Sequence, residues 1–228
     1  MSNASPDHAP AHPPAPPASP GGGFPDAAAT WNRRFAAEGF LFGTEPNRWL
    51  ADHASCWRSG GKILSVADGE GRNSVWLAAR GFRVDAFDIA RQGIDKARAL
   101  ARERGVEVNF VHADCDGFDW KPAHYDGIAA IFVQFADPSL RARLFAHCVE
   151  SLAPGGTLVL QGYTPKQLEY RTGGPPVASH LYTEAMLRDA FRSLDIVELR
   201  EYEAELAEGT GHAGRSALIG MVATKPAA

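Results

Sequence analysis

From about Asp26 onward, short runs of apolar and β-branched residues alternate with stretches whose apolar residues recur every three to four positions. The first kind predicts strands and the second helices, and their regular alternation predicts βαβ units with a parallel sheet. Strands are expected over residues 62–67, 83–88, 107–112, 127–133 and 156–161. Between them, 74–80 and 91–104 read as crossover helices, each followed by a glycine (Gly81, Gly105) where a helix end favours positive φ. Asp137 and Pro138 offer an N-cap and a first-turn proline to a helix with Leu140, Leu144, Phe145, Cys148, Val149 and Leu152 on its apolar face; Pro154-Gly155-Gly156 stops it. Thr183 caps another helix, with Met186, Leu187, Ala190, Phe191 and Leu194 inside. Late strands over 196–202 and 217–223 are expected to pair antiparallel. The pattern therefore predicts an α/β fold: a doubly wound, mostly parallel seven-stranded sheet with an antiparallel C-terminal strand pair.

Two regions precede the first strand. Residues 1–25 hold eight of the sixteen prolines, five alanines and the Gly21-Gly22-Gly23 run, with Asp7 their sole formal charge. So little apolar surface cannot offset ordering entropy, so a disordered, partly polyproline-II tail is expected, distinct from a domain over 26–228. Residues 26–60 carry Trp31, Phe35, Phe40, Phe42 and Trp49, more aromatics than a linker needs, and are expected to form short helices that lid the sheet.

Composition adds exclusions. Hydrophobic residues at 45% and charged residues at 22% suit a single globular core. A formal net charge of −4 supplies no basic field for a phosphate backbone. The longest apolar run, 128–133, is far short of the roughly 18 residues a membrane helix needs. Neither nucleic acid nor membrane is expected as a partner. The three scattered cysteines, Cys56, Cys115 and Cys148, show no disulfide or zinc spacing, which points to a reducing, cytoplasmic setting. Nothing in the pattern specifies an oligomeric state.

The chemistry concentrates after the first strand. Val66-Ala67-Asp68-Gly69-Glu70-Gly71-Arg72-Asn73 follows a strand and opens a helix, the place where α/β sheets bind nucleotide-like ligands. Glycines there let the backbone approach a ligand, and the free amides of the helix start point at it. Asp88 ends the second strand about twenty residues on, where a carboxylate takes both hydroxyls of a ribose. Asp114, past the third strand, adds an acid on the same edge. The bland reading makes the glycine turn an ordinary βα connection and Asp88 the N-cap of the next helix. A dinucleotide fingerprint fails at Ser74, which stands where Gly or Ala is needed. Residues 209–216 come within one residue of a P-loop, with Arg215 for its lysine, but precede a strand-like run rather than a helix. His112 and Cys115 lack the further ligands a metal needs, so no metal site is expected. No serine elbow or spaced carboxylate pair supports hydrolysis.

Taken in order, these motifs resemble the class I S-adenosylmethionine-dependent methyltransferases over roughly residues 30–225. Gly69-Glu70-Gly71-Arg72-Asn73-Ser74 resembles the first motif of that family, Val84-Asp85-Ala86-Phe87-Asp88 the second and Ala113-Asp114-Cys115 the third. Tyr125-Asp126-Gly127-Ile128 with Phe132-Val133-Gln134-Phe135 resembles the fourth, and Leu152-Ala153-Pro154-Gly155-Gly156-Thr157-Leu158 the turn into the fifth strand. More narrowly, Trp31-Asn32-x-Arg34-Phe35 and Phe42-Gly43-Thr44-Glu45-Pro46-Asn47 resemble the opening segment of the tellurite-resistance and thiopurine methyltransferase-like branch. The resemblance implies a Rossmann-like sheet and S-adenosyl-L-methionine as cofactor, with S-adenosyl-L-homocysteine as product. It places Asp88 on the ribose, and Asp114 with the Cys115 backbone on the adenine. It extends cofactor contact to Trp31, Phe42, Asp68, Gly69, Glu70, Gly71, Arg72, Asn73, Ile89 and Gln134. One departure stands out: the family has an acid and a glycine where Ser65 and Ala67 stand here, and Asp68 is expected to do the work of that carboxylate.

The expected function is methyl transfer to a small-molecule acceptor by in-line displacement, the acceptor being a chalcogen oxyanion (tellurite or selenite) or a thiol. Soft nucleophiles need positioning more than deprotonation. The acceptor side is sought at Gln134, Tyr163, the loop 171–176, His180 and 208–214. Arg171, His180 and His212 are the catalytic candidates, as oxyanion holders, with His212 alternatively a base because imidazole titrates near neutrality. The alternative is a non-catalytic nucleotide-sensing or partner-binding module, in which the tail recruits the partner.

Overall fold

In the computed structural model, which describes residues 26–227, the strand-forming runs become strands; the tail expected over 1–25 lies outside the described residues. Seven strands form one sheet: β1 (Lys62–Val66), β2 (Arg83–Asp88), β3 (Asn109–His112), β4 (Tyr125–Ile131), β5 (Leu152–Tyr163), β6 (Asp195–Glu208) and β7 (His212–Thr224). Their spatial order is β3-β2-β1-β4-β5-β7-β6. The first five run parallel, and β7 lies antiparallel between β5 and β6. The chain thus steps outward from β1 to β3, then returns to β1's other side with β4. The reversal creates a crevice at the carboxyl ends of β1 and β4, where sheets of this kind bind ligands.

Side-chain alternation explains why the central strands are apolar throughout. Ile63, Ala129, Ile131, Val159 and Val222 pack with Trp49, Leu50, Trp57 and Leu77 on one face. Their neighbours Leu64, Ile128, Ala130, Leu158, Leu160 and Met221 pack with Leu144, Phe145, Cys148, Leu187 and Phe191 on the other. The helices covering these faces are α1 (Ala27–Phe35), α2 (Arg48–His53), α3 (Arg72–Ala79), α4 (Arg91–Glu103), α5 (Pro138–Ser151), α6 (Gln167–Tyr170) and α7 (Glu184–Ala190). The predicted caps form: Asp137 accepts from the Leu140 amide and Thr183 from the Met186 amide. Among the described residues no helix is long and apolar enough to cross a membrane.

Several boundaries differ from expectation for local reasons. β4 stops at Ile131 because Phe132 turns the chain at φ 55°. α3 starts at Arg72, two residues early, because Asp68 receives the Ser74 amide and hydroxyl and so caps its first turn. β3, an edge strand, begins at Asn109. β6 and β7 run far beyond 196–202 and 217–223 to Glu208 and back from His212, so the near-P-loop residues form a hairpin tip and a strand rather than a helix start. That tip reaches back over the crevice.

Candidate active site

The turn after β1 is built around left-handed residues. Ala67 (φ 48°), Gly69 (φ 63°) and Gly71 (φ 91°) reverse the chain into α3. Ala67 adopts, at a cost of roughly 1–2 kcal/mol, the conformation a glycine takes freely. Gly71 is required by packing: a Cβ there would lie 2.6 Å from Ala97 Cβ, closing α3 against α4. Asp68 turns beneath the turn, where its carboxylate accepts from Ser65 Oγ (2.7 Å) and from the Ser74 hydroxyl. Burial raises its pKa, opposed by those hydrogen bonds. A carboxylate therefore stands beside Ser65 although position 65 itself is serine.

Asp88, at the end of β2, is buried, with Oδ2 accepting from the Gly69 amide (2.8 Å) and Oδ1 from the Ala90 amide (2.7 Å). Burial lifts its pKa to about 6; the two amides pull it down and the Asp68 charge pushes it further up. A carboxylate offers about four lone-pair sites, so two remain for ligand hydroxyls. The carbonyl of the next residue, Ile89, lies 3.0 Å from His112 Nε2. Asp114 is exposed, and its Oδ1 accepts from the Gly117 amide (2.6 Å). Cys115 is buried beside it, its thiol pushed up to about 12 by burial and by the neighbouring carboxylates. Phe87 and Phe118 stack beneath this edge at 4.3 Å. Turn, Asp88 and Asp114 thus form one rim of amides and acids along β1, β2 and β3.

Other residues expected at the cofactor are claimed elsewhere. Glu70 turns to the lid segment: Oε2 accepts from the Leu41 amide (2.7 Å) and Oε1 pairs with Lys96 (2.9 Å). Asn73 accepts from the Asn47 amide (2.9 Å). Arg72, 8% exposed, pairs with Glu208 of the hairpin tip (2.8 Å). Gln134 is spent on backbone: its amide donates to the carbonyls of Tyr163 (2.9 Å) and His180 (3.1 Å), and its Oε1 accepts from the Tyr163 amide. Each of these four side chains thus bonds to another residue of the chain. The lid aromatics do converge on the turn. The Phe35 ring would meet a Cβ on Gly69 at 3.3 Å, and Trp31 lies 5.4 Å from Phe35 and 6.4 Å from Phe42.

The three acceptor-side candidates separate. Arg171 is exposed at the end of α6, and among the described residues its guanidinium has no polar partner. His180 is buried, its Nδ1 2.9 Å from the Gln134 carbonyl, and braces the loop before α7. His212 alone reaches the crevice. Its ring lies among Phe42 (4.5 Å), Phe132 (4.3 Å) and Tyr163 (5.7 Å). Burial lowers its pKa, Glu208 opposing and Arg72 reinforcing the shift. The hairpin tip packs tightly on these rings: a Cβ on Gly211 would lie 2.4 Å from the Phe42 ring, and the Gly211 amide donates to the Leu41 carbonyl (3.0 Å). Asn47 joins below, donating to Gln161 (2.6 Å) and Glu208 (3.0 Å). Its role was invisible in sequence, although an arginine beside a glycine turn signals that some acid must answer it. A separate open groove of about 750 Å³ runs past Lys62, Arg83, Arg102 and Phe110 at the opposite ends of the strands, away from this chemistry.

Residues 63–156 match the family model described as a methyltransferase domain. Over those residues the chain is similar to a methyltransferase domain. That domain's curated relatives include a ubiquinone biosynthesis O-methyltransferase of Rickettsia conorii, 27% identical over 66% of this chain and 53% of that protein. A tRNA 5-carboxymethoxyuridine methyltransferase of Escherichia coli is 31% identical over 45% of this chain and 40% of its own. The chain spans about half the length of these relatives or less. Among solved structures, the N-methyltransferase NodS of Bradyrhizobium japonicum, in complex with S-adenosylhomocysteine, superposes with a TM-score of 0.65 at 16% identity, over 87% of this chain and 98% of NodS. TehB of Haemophilus influenzae gives 0.64 at 17%, over 87% and 66%. At these identities the structural likenesses show the fold alone.

Proposed function

We propose that this protein transfers the methyl group of S-adenosyl-L-methionine to a small-molecule acceptor held beneath its lid segment. The observation that carries the reading is Asp88, a buried carboxylate clasped to the Gly69 amide at the sheet's reversal with lone pairs to spare. The residues present fit the cofactor: Asp88 would hold the ribose, Asp114 and the Cys115 backbone the adenine, and the amides of the 67–71 turn the remainder. When bound, the sulfonium supplies an electrophilic methyl group and leaves as a neutral thioether. This chain's own contribution is placement: Phe35 seals Gly69, and Phe42, Phe132, Tyr163 and His212 exclude water from the acceptor's side.

Of the acceptors expected from sequence, tellurite or selenite finds little support in this lining. Arg171 is exposed, His180 is engaged, and Arg72 is already neutralised by Glu208. A thiol or another neutral acceptor on an apolar body suits it better, and this weighs against assigning the chain to the tellurite branch. A tRNA acceptor, as the name of one relative describes, is disfavoured by the net charge of −4. The buried free thiols of Cys115 and Cys148 fit the reducing cytoplasmic setting expected.

The test is calorimetric binding of S-adenosylhomocysteine to wild type and Asp88→Ala, with circular dichroism as the folding control. Loss of binding in a folded variant is expected; binding retained at wild-type strength overturns the reading. Methyl turnover is then read against tellurite, selenite, thiols, thiopurines and simple amines.

A further inference from the structure

The lid segment meets the rim through Phe35, the last residue of α1. Its ring lies on Gly69, whose amide holds Asp88, and on Gly93 of α4, where a Cβ would come within 3.0 Å of it. Beyond Phe35 the chain turns back through residues 36–39, which are exposed. Lys96 Nζ, reaching from α4, donates there to the carbonyls of Ala37 (2.7 Å) and Gly39 (2.6 Å), and also to Glu70 Oε1 (2.9 Å). An ammonium has three donors, and all three are used. Among the described residues no other side chain bonds to the backbone of 36–39. Glu70, with 2% of its side chain exposed, carries the tie onward, its Oε2 accepting from the Leu41 amide (2.7 Å). The lid backbone is thus bonded at 37, 39 and 41 to one ion pair that joins the glycine turn to α4. Such charge-assisted bonds are roughly twice as strong as neutral ones, and a buried carboxylate is screened little by salt. The polar tie of α1 itself, Asn32 Oδ1 accepting from the Gln92 amide (2.9 Å), is exposed and neutral, so the ion pair is the stronger hold.

We propose that Lys96 and Glu70 latch the lid over the cofactor rim, and that release of this latch sets the rates at which S-adenosylmethionine enters and S-adenosylhomocysteine leaves. The inference rests on the methyl-transfer reading above. Both residues act through the lid backbone and are positioning residues. A nucleoside clasped by Asp88 is enclosed while Phe35 sits on Gly69, and it exchanges with solvent when the lid lifts. Every bond of the latch is made by the chain's own groups, so it holds the lid with the rim filled or empty. A contribution equal in both states shifts no binding equilibrium. The latch therefore slows entry and exit by the same factor and leaves the affinity almost unchanged. A side chain that binds the cofactor directly behaves differently, because its loss raises the dissociation rate and weakens affinity with it. Lid opening of this kind limits turnover in many enzymes.

The experiment uses the full chain with S-adenosylhomocysteine as probe. Stopped-flow tryptophan fluorescence gives its association and dissociation rates, calorimetry its affinity, and hydrogen exchange at the Leu41 amide the opening of the lid. Lys96→Met is expected to raise both rates about 10- to 100-fold and to change affinity less than about threefold. Exchange at Leu41 is expected to quicken by a similar factor, while the amides of β4 and β5 exchange as in wild type. Because Lys96→Met leaves the Glu70 carboxylate unanswered, the double variant Glu70→Gln with Lys96→Met removes both charges together; it is expected to show the same paired rise in rates. Affinity lost through the dissociation rate alone overturns the latch and makes the pair part of the binding surface. Rates or Leu41 exchange at the wild-type value in the double variant overturn it as well, and leave the methyltransferase reading standing. Wild-type protein that binds no S-adenosylhomocysteine removes both.

Discussion

Replacing Arg72 by methionine removes the cation that answers Glu208 while keeping a stem to cover Phe42. The two side chains are 8% and 11% exposed and 2.8 Å apart, so the variant leaves a carboxylate in a dry interior with Asn47 and His212 as its remaining partners. Breaking a buried pair from one side costs about 3–5 kcal/mol. The depressed pKa of Glu208 bounds the same cost from above. Burial pushes its pKa up, but His212 and Arg72 outweigh that and hold it at about 2 against an ordinary 4.5. That difference of about 2.5 units, at 1.36 kcal/mol each, is roughly 3 kcal/mol, which His212 and Arg72 supply together and which is therefore an upper bound for the arginine alone. The folded-state pKa is the depressed one, so this stability is fully present above pH 4.5 and is lost as pH falls through about 2. Urea unfolding of wild type and Arg72→Met, followed by tryptophan fluorescence at several pH values, reads the prediction. The variant is expected to be up to about 3 kcal/mol less stable at pH 7, with a Tm lower by up to about 6–12 °C, and the gap is expected to close toward pH 2. A gap below about 1 kcal/mol at pH 7, or one that does not change with pH, refutes the reasoning and reduces the pair to a contact of the surface kind.

Three further outcomes follow from the same geometry. Asp88 must be ionised to accept ribose hydroxyls, so S-adenosylhomocysteine affinity in calorimetry is expected to fall as pH drops below about 6, approaching tenfold per unit, and to be flat in Asp88→Asn; a flat wild-type profile counts against the clasp. Gly71→Ala forces a Cβ to 2.6 Å from Ala97 at φ 91°, and is expected to cost about 2 kcal/mol or more in chemical denaturation; unchanged stability shows that α3 and α4 are not packed at that point. Thiol titration of the native protein is expected to find Cys56 alone reactive and all three cysteines only after unfolding, because Cys115 and Cys148 are buried; prompt reaction of two or three native thiols disproves that burial.

Sequence periodicity carried the architecture because a fully covered parallel sheet writes its strands as apolar runs and punctuates its helices with Asp, Thr, Pro and Gly. Asp137 and Thr183 cap where expected. Asp88 was legible for a related reason: its place at a strand's end is a backbone property, and the turn amide it meets is nineteen residues away. Side-chain destinations were less so. Glu70, Arg72, Asn73 and Gln134 sit in motifs that mark where the backbone passes, but the groups that claim them come from residues 41, 208, 47, 163 and 180. A motif fixes position along a strand edge, whereas the direction of a buried polar side chain is decided by which distant donor or acceptor lacks a partner. The length of the final hairpin was hidden likewise. The alternation of charged and small residues over 203–208 reads as loop until β7 is there to pair it.

A sheet whose strand order reverses beside β1 provides two adjoining half-sites rather than one. The rim of β1, β2 and β3 presents amides and acids, which suits a hydroxylated nucleoside; the ends of β4, β5 and β7 present Phe132, Tyr163 and His212, which suit an apolar partner. Methyl transfer requires two ligands in contact on one axis and gains most of its rate from holding them there. The turn at 67–71 is where the halves meet, and Arg72, its next residue, reaches across to Glu208 and so to His212. In this chain the polar side chains after the second glycine, Arg72 and Asn73, bond to Glu208 and to Asn47. The glycine turn then serves both halves, with its backbone turned to the nucleoside rim and its following side chains setting the hairpin that closes the acceptor's side.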